Sequence, residues 1–393
     1  MGVSGKHSVV CIALALMAFT GGAQAGPALD KRVFAKVDDA AQQWVTSGHT
    51  PGLAVGVMLD GKILFAKGYG LADLENSTPV TPDTVFRIGS LTKQFTAAAV
   101  LTLVEKGQVS LDAPLSDYFP EFYLGRQVTV RQLLTHTSGI SAYSDRTNPK
   151  NSWDYRSDLS TAQMVDRIEH FYPPYQFPPG SAWHYSNSGY FLLGAIVEKV
   201  SGRSLAEYLR QEVFPRAGLT NTALDDGVAV VPHRASGYEV TPGGGYRRAD
   251  FLSMTVPGGA GAMRSTISDL LKWHEALFSG RVVSGALFRE MIAPARLSDG
   301  RLASSARVAS GEPPLPDFEY GFGLFIAKVH GHRRINHNGG INGFNATLNT
   351  YPDDHLTWVA LSNSGGGVSA RDAKLGTISG VSEEIEEILI KEN

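Results

Sequence analysis

Strand patterns occur near both ends of this sequence, and helical patterns fill the stretch between them. Residues 53–59 and 62–69 have strand-like patterns, and Asp60-Gly61 between them is a strong hairpin turn signal. Further short strand patterns come late in the chain, at 320–329, 334–336, 344–350 and 356–361. Helical periodicity is found at 28–45, 101–106, 130–135, 161–171, 190–201, 205–214, 268–278 and 382–390. The sequence therefore predicts an α+β fold: one antiparallel sheet formed by both chain ends, flanked by helices, with a mainly helical subdomain inserted at about 101–224.

The first 25 residues have the build of a secretory signal peptide. One cation, Lys6, precedes an apolar run from Val9 to Phe19, and small residues end the segment at Ala25. We therefore expect cleavage before Gly26 and a secreted or periplasmic protein, with an uncleaved anchor as the alternative. Residues 26–393 would then form one domain, whose α/β part comprises about 26–100 and 225–393.

Charge and cysteine content argue against several functional classes. Loss of Lys6 with the signal peptide would change the formal net charge from -3 to -4, which gives no reason to expect nucleic acid as a partner. The single cysteine, Cys11, would leave with the same segment, and this excludes disulfides, cysteine nucleophiles and zinc–thiolate sites from the mature chain. No later apolar run is long enough to span a bilayer. We predict no metal and no cofactor, and the oligomeric state stays open.

Ser90 and Lys93 stand three residues apart where the first strand region gives way to a helical pattern. If the helix opens near Ser90, the hydroxyl and the amine share one face at the positive end of the helix dipole. Burial could lower the pKa of Lys93 enough to leave it neutral, so that it takes the proton of Ser90 while the serine attacks a carbonyl. The alternative is a capping serine beside a solvated lysine.

Tyr185-Ser186-Asn187 follows a Pro-Pro-Gly breaker and precedes a helical run. A phenol near an ammonium has its pKa lowered, so Tyr185 could share a proton with Lys93 and pass it to a leaving group. Asn187 offers an amide that can bond both Lys93 and a substrate carbonyl. A buried tyrosine and a turn asparagine are the alternative. His136, also near a helix end, is better interpreted as bonding loop backbone than as a base.

The stretch His337 to Phe344 contains three glycines within a strand region. Such glycines indicate that something approaches the backbone closely, and a substrate lying along the sheet edge would need that clearance. A backbone N–H near Gly340, together with that of Ser90, could form an oxyanion hole. His337 as a metal ligand is the weaker idea, because the nearby histidines lack a ligand spacing.

Three motifs occur in a fixed order: Ser-x-x-Lys at 90–93, Tyr-x-Asn at 185–187, and a basic residue followed by x-Gly at 337–339. This order resembles the serine β-lactamase and D-Ala-D-Ala peptidase superfamily, and within it the class C β-lactamase branch with its related peptidases and esterases. Shorter likenesses at 68–73, 134–139, 179–181 and 258–269 extend the resemblance over most of 52–361. The resemblance implies a single β-lactamase-related catalytic domain at 26–393.

The resemblance also implies roles for individual residues. Ser90 would be acylated, and Lys93 and Tyr185 would handle protons. Asn187 would orient them, and His337 and Gly339 would edge the pocket. The expected substrate-binding residues are Asn187, His337, Gly339, Gly340 and Asn342.

One departure from the class C pattern bears on the substrate. Those enzymes have Lys-Thr-Gly-Ser-Thr-Asn-Gly where this chain reads His337 to Gly343. A neutral histidine holds a substrate carboxylate less firmly than a lysine, which argues against efficient β-lactam turnover. The class A deacylating motif Glu-x-x-Leu-Asn is absent too, so Tyr185 and Lys93 would have to activate water.

The sequence thus favours an exported serine hydrolase that acts through an acyl-Ser90 intermediate on an amide, β-lactam or ester of a small molecule or peptide. The alternative is a penicillin-binding or sensing module that acylates without efficient turnover. Within the enzymes, a D-Ala-D-Ala carboxypeptidase and a short-chain esterase stay open. The irregular segment 143–160 is expected to form a lip over the cleft, or else a plain surface loop, and it would help to choose the substrate together with the loop 297–316.

Overall fold

The computed structural model of the protein describes residues 1–2, 29–145, 151, 153–308, 318–365 and 378–391. The proposed signal peptide therefore lies almost entirely outside the described residues, and so do parts of the segments 143–160 and 297–316. No helix in the described ranges has the length and apolar character needed to cross a membrane.

Fourteen strands and eleven α-helices make up the described chain, together with short 3₁₀ and π turns. The strands are β1 Gly52–Leu59, β2 Lys62–Asp73, β3 Thr78–Pro79, β4 Phe86–Arg87, β5 Ala223–Leu224, β6 Tyr238–Val240, β7 Tyr246–Arg248, β8 Met263–Ser265, β9 Phe318–Tyr320, β10 Phe325–Val329, β11 His332–Ile341, β12 Phe344–Tyr351, β13 Leu356–Ser362 and β14 Ser364–Gly365. The helices are α1 Lys31–Thr46, α2 Thr92–Glu105, α3 Val130–Leu134, α4 Thr161–Glu169, α5 Asn187–Ser201, α6 Leu205–Tyr208, α7 Phe214–Ala217, α8 Gly258–Gly261, α9 Ile267–Phe278, α10 Gly285–Met291 and α11 Ser379–Lys391.

One antiparallel sheet of eight strands is built from both chain ends, in the order β3-β2-β1-β13-β12-β11-β10-β9. The hairpin between β1 and β2 turns at Asp60 and Gly61, whose φ values of 50° and 72° are both positive, as the tight turn signalled by this dipeptide requires. Because β1 joins β13 directly, the first and last parts of the chain share one sheet. The predicted α+β fold is confirmed.

Helices cover both faces of this sheet. On one face Leu53, Val55 and Val57 of β1 pack with α1 and α11, whereas Ala54 and Met58 belong to the larger core on the other face. Both faces of β1 are thus buried, which explains its nearly continuous apolar sequence. The sheet is consequently a rigid support for whatever lies against its edge.

Helix α2 runs through the middle of the larger core. Its residues from Thr92 to Leu103 are all buried, and it packs against α5 and α8. A helix that is apolar nearly all round is stable only inside a protein. The element that begins beside Ser90 is therefore the most enclosed helix of the larger core, and its start is held firmly in place.

Three predicted helices and strands differ in detail from those in the structure. The predicted strand 320–329 is two strands, since residues 321–324 leave the sheet and Gly323 has φ 71°. The last helix begins at Ser379 rather than at Ser382, whose hydroxyl donates to the carbonyl of Ile378. The predicted helix at 205–214 contains a π turn at Leu209–Val213 and continues as α7.

Candidate active site

Ser90 lies in a 3₁₀ turn, Gly89–Leu91, between β4 and α2. The hydroxyl of Thr92 donates to the Gly89 carbonyl at 2.7 Å and accepts from the Met263 amide at 3.0 Å, which fixes the turn. Gly89 has φ 50°, and a Cβ there would lie 2.8 Å from the Gly340 nitrogen. The turn therefore rests directly on the backbone of β11, with the partly exposed Ser90 side chain at the sheet edge.

The absence of a side chain at Gly339 of β11 leaves room for this contact. A Cβ at Gly339 would lie only 2.0 Å from the Ile88 carbonyl oxygen and 3.3 Å from the Ser90 nitrogen. What approaches the Gly339 backbone is thus the serine turn itself, and not the substrate that the sequence reading expected there. Gly340, by contrast, is exposed, and the nearest atom to a Cβ there is 3.7 Å away.

Lys93 is fully buried, and three oxygen atoms surround its Nζ. The Oγ of Ser90 is 3.1 Å away, and the Asn187 Oδ1 and the Ala260 carbonyl oxygen are each 2.8 Å away. Burial lowers the pKa of Lys93 well below its usual value. A neutral amine has two N–H bonds and one lone pair. If Asn187 and Ala260 accept the two N–H bonds, the lone pair faces the Ser90 hydroxyl.

Tyr185 stands beside both groups, but its acidity differs from the prediction. Its ring centroid is 4.6 Å from the Lys93 Nζ, and its side chain hydrogen-bonds with Ser90. Burial raises the pKa of Tyr185, and the hydrogen bond with Ser90 offsets only part of that rise. The expectation that a neighbouring ammonium lowers this pKa is therefore wrong, and the group is a protonated phenol at neutral pH.

Asn187 is fixed at both ends of its amide. Its Oδ1 accepts from Lys93, and its Nδ2 donates to the Oγ of Ser144 at 2.9 Å. The second bond sets which end of the amide faces the lysine. The sequence did not indicate a role for Ser144, because nothing in its local pattern distinguishes it from other loop serines. The Ala260 carbonyl was missed for a related reason, since a backbone oxygen carries no residue signature.

His337 and His136 lie behind the catalytic groups. The His337 Nε2 is 3.1 Å from the Tyr320 hydroxyl, and its Nδ1 is 2.6 Å from the Asn338 carbonyl oxygen. Burial lowers the pKa of His337 to about 3, so the ring is neutral. The Nδ1 of His136 accepts from the Ser186 amide at 3.1 Å, as expected of a histidine that bonds loop backbone.

A pocket of about 180 Å³ opens beside Ser90. The expected substrate-binding residues Asn187, Gly340 and Asn342 line it, whereas Gly339 lies under the serine turn and His337 is buried outside the lining. The placement of His337 at the pocket edge is thus corrected. Further lining comes from Tyr143, Ser144, Tyr155, Leu252, Val256, Pro257, Ala260, Gly261 and Ile341. The first three belong to the described part of the segment 143–160, so this part of the segment lines the pocket.

Other candidate sites lie apart from these groups. Two larger cavities, of about 510 and 370 Å³, are lined by none of the predicted catalytic or substrate-binding residues, although Thr135, Thr137 and Gly180 of the shorter likenesses line the first. In the part of the chain that the structure describes, no group of three or more histidine, cysteine or acidic side chains is placed to hold a metal ion.

Comparison with known proteins places this geometry in context. Residues 37–379 match the family described as Beta-lactamase. A penicillin-binding protein of Bacillus subtilis (strain 168) is 30% identical over 316 residues, which are 77% of this chain and 66% of that protein. A D-aminopeptidase of Gluconobacter oxydans (strain 621H) is 29% identical over 317 residues, which are 80% of this chain and 56% of that protein. The chain thus spans between half and two thirds of the length of these two relatives.

Among solved structures, the D-amino acid amidase from Ochrobactrum anthropi SV3 in complex with L-phenylalanine amide superimposes with a TM-score of 0.76. The two sequences are 26% identical, and the match covers 92% of this chain and 99% of the amidase. The likeness therefore extends over nearly the whole of both chains.

Proposed function

Because the chain belongs to the Beta-lactamase family, with a match over residues 37–379, we propose that it is an exported serine hydrolase that forms an acyl-Ser90 intermediate with an amide, β-lactam or ester. The observation that carries the proposal is the buried Lys93, whose Nζ lies 3.1 Å from the Ser90 Oγ. A serine needs a base at this distance to become a nucleophile.

Acylation uses Ser90, Lys93 and Tyr185, while Asn187 holds the amine of Lys93 in place. Lys93 takes the hydroxyl proton as the Ser90 Oγ bonds to the substrate carbonyl carbon, and the developing oxyanion accepts from the backbone amides of Ser90 and Gly340. The carbonyl then reforms, the bond to the leaving group breaks, and Tyr185 donates the proton that the leaving group needs. The phenolate recovers a proton from the Lys93 ammonium, which restores the starting state.

Deacylation repeats these steps with water as the nucleophile. The neutral Lys93, acting directly or through Tyr185, takes a proton from water as its oxygen attacks the ester carbonyl. Collapse of the intermediate returns the proton to the Ser90 oxygen and releases a carboxylic acid. Each oxyanion donor should be worth about 10²–10³ in rate, and proton transfer about 10²–10⁴.

Substrate choice within this chemistry is informed by the relatives. The names D-aminopeptidase and D-amino acid amidase support an amide with a D-configured residue, and the penicillin-binding relative supports acylation by β-lactams. The neutral His337 weighs against a substrate held by a carboxylate. A penicillin-binding or sensing module that keeps its acyl group remains the second candidate, favoured by the same relative.

The test compares Ser90→Ala with the natural chain. Hydrolysis is measured on nitrocefin, a D-Ala-D-Ala peptide, D-phenylalanine amide and p-nitrophenyl butyrate, and acylation is followed by mass spectrometry and a fluorescent penicillin. Ser90→Ala should lose turnover and labelling together. Ser47→Ala, at an exposed position after α1, is the matched control and should change neither. Full hydrolysis by Ser90→Ala would refute the proposal, and an adduct stable for hours would favour the sensing module.

Export is part of the same proposal and rests on the pattern of residues 1–25. Expression of the full chain in a bacterium with a periplasm should yield a mature protein that begins at Gly26. Recovery of only the uncleaved chain in the cytoplasm would refute the export.

A further inference from the structure

We propose that the pocket beside Ser90 is an acyl-binding subsite that takes an apolar group up to about the size of a phenyl ring. This inference rests on the proposed function and names the substrate class of the same site. Six of the residues that line the pocket have apolar or aromatic side chains: Tyr143, Tyr155, Leu252, Val256, Pro257 and Ile341. Polar groups among its lining residues include the nucleophile, the Asn187 amide and Asn342.

The walls are tied to one another by hydrogen bonds. The Asn342 Nδ2 donates to the Asp250 carbonyl at 2.9 Å, which holds the segment that carries Leu252. The Ser253 amide donates to the Tyr155 carbonyl at 3.0 Å, and the Tyr155 hydroxyl donates to the Tyr143 carbonyl at 3.0 Å. Three chain segments thus form one preorganised wall, so a ligand loses little free energy in ordering the site.

The position of the proton donor indicates which part of the substrate occupies the pocket. A leaving group must lie within hydrogen-bond reach of the group that protonates it. Tyr185 fills that role, and it does not line the pocket; its ring packs at 4.4 Å from that of His136. The leaving group therefore lies on the Tyr185 side of Ser90. The acyl group, which stays bonded to the Ser90 oxygen, lies on the opposite side, in the pocket.

Pocket volume indicates how much of the acyl group can be buried. An apolar cavity of about 150 Å³ in another protein holds benzene, and the pocket here measures about 180 Å³. Each methylene buried against apolar walls should raise kcat/KM about fourfold. Acyl groups too long for the pocket gain nothing further.

The experiment measures kcat/KM and the burst of nitrophenol for p-nitrophenyl acetate, propionate, butyrate, phenylacetate and octanoate. We expect about a fourfold rise per methylene from acetate to butyrate, high activity on phenylacetate, and no further rise for octanoate. Leu252→Ala should flatten the rise, and Ile341→Ala is the second variant in case the first fails to fold. Leu64→Ala, at a half-exposed strand position remote from the pocket, should keep the natural profile.

A second series keeps the acetyl group and varies the alcohol. A preference that follows the alcohol and not the acyl chain would overturn the inference, and so would a flat acyl series that neither Leu252→Ala nor Ile341→Ala changes. Both results leave the proposed function standing as long as the burst disappears in Ser90→Ala. Hydrolysis that persists in Ser90→Ala, or no burst from any ester, would instead count against the proposed function.

Discussion

Replacing Asn187 by aspartate should disable the base without removing it. Asn187→Asp puts a carboxylate where an amide oxygen now lies 2.8 Å from the Lys93 Nζ. Two unit charges at that distance attract by about 6 kcal/mol at an effective dielectric constant of about 20. At about 1.4 kcal/mol per pKa unit, the pKa of Lys93 would rise by about four units. The lysine would then be an ammonium at neutral pH and could not take the Ser90 proton.

The assay is the pH dependence of the burst rate and of kcat/KM on p-nitrophenyl butyrate. In the natural chain the fall in rate on the acid side of the pH–rate profile (its acid limb) reports protonation of Lys93. In Asn187→Asp the acid limb should move to higher pH by several units. At pH 7 the rate should fall by about 10²–10⁴ and recover partly as the pH rises. Asn187→Ala should lower the rate without moving the limb upward, because it adds no charge.

Asn221→Asp, at an exposed position, supplies the matched control for the added charge and should leave the profile unchanged. The reasoning would be refuted if Asn187→Asp kept the natural acid limb while remaining folded. In that case Lys93 would not be the group whose proton transfer limits acylation.

Two further predictions follow from the packing around the site. Gly339→Ala should lower the burst rate by at least about 10², because its Cβ would lie 2.0 Å from the Ile88 carbonyl oxygen and push the serine turn away. The control variant Gly285→Ala, whose Cβ meets nothing closer than 3.6 Å, should keep its activity. Equal activity of the two variants would contradict this account of the packing. The free energy of unfolding, measured in urea, should fall by about 4 kcal/mol from pH 7 to pH 5, because burial lowers the pKa of both His274 and His337 to about 3. The unfolded chain binds more protons than the folded chain between about pH 6.5 and pH 3, so stability falls as the pH falls through that window. His274→Gln should reduce the dependence of the unfolding free energy on pH. A free energy of unfolding that does not change with pH would contradict the prediction.

The sequence predicted the sheet from local patterns, whereas the convergence of the motifs was implied by the family resemblance that their order carries. Alternating or apolar runs bounded by turn residues mark strands wherever they occur, and the Asp60-Gly61 hairpin formed as expected. The ordered motifs brought Ser90, Lys93, Tyr185 and Asn187 together. Their positions depend on elements whose patterns are strong.

What the sequence could not supply depends on the tertiary path of the chain. Residues 321–324 leave the sheet edge, and a Cβ at Gly323 would lie 2.9 Å from the backbone of Lys93. No local pattern records that crossing. Ser144 and the Ala260 carbonyl reach the site in the same way, from segments far along the chain, and the clearance at Gly339 serves the serine turn.

The error about Tyr185 has a single physical cause that also explains the site. A lowered phenol pKa requires a charged neighbour, but the burial that surrounds Tyr185 also lowers the pKa of Lys93 and removes that charge. Burial favours the neutral form of each group. For an amine the neutral form is the base, and for a phenol it is the acid. One enclosed environment therefore assigns opposite roles to two adjacent side chains: Lys93 receives the proton of Ser90, and Tyr185 supplies the proton that the leaving group takes away.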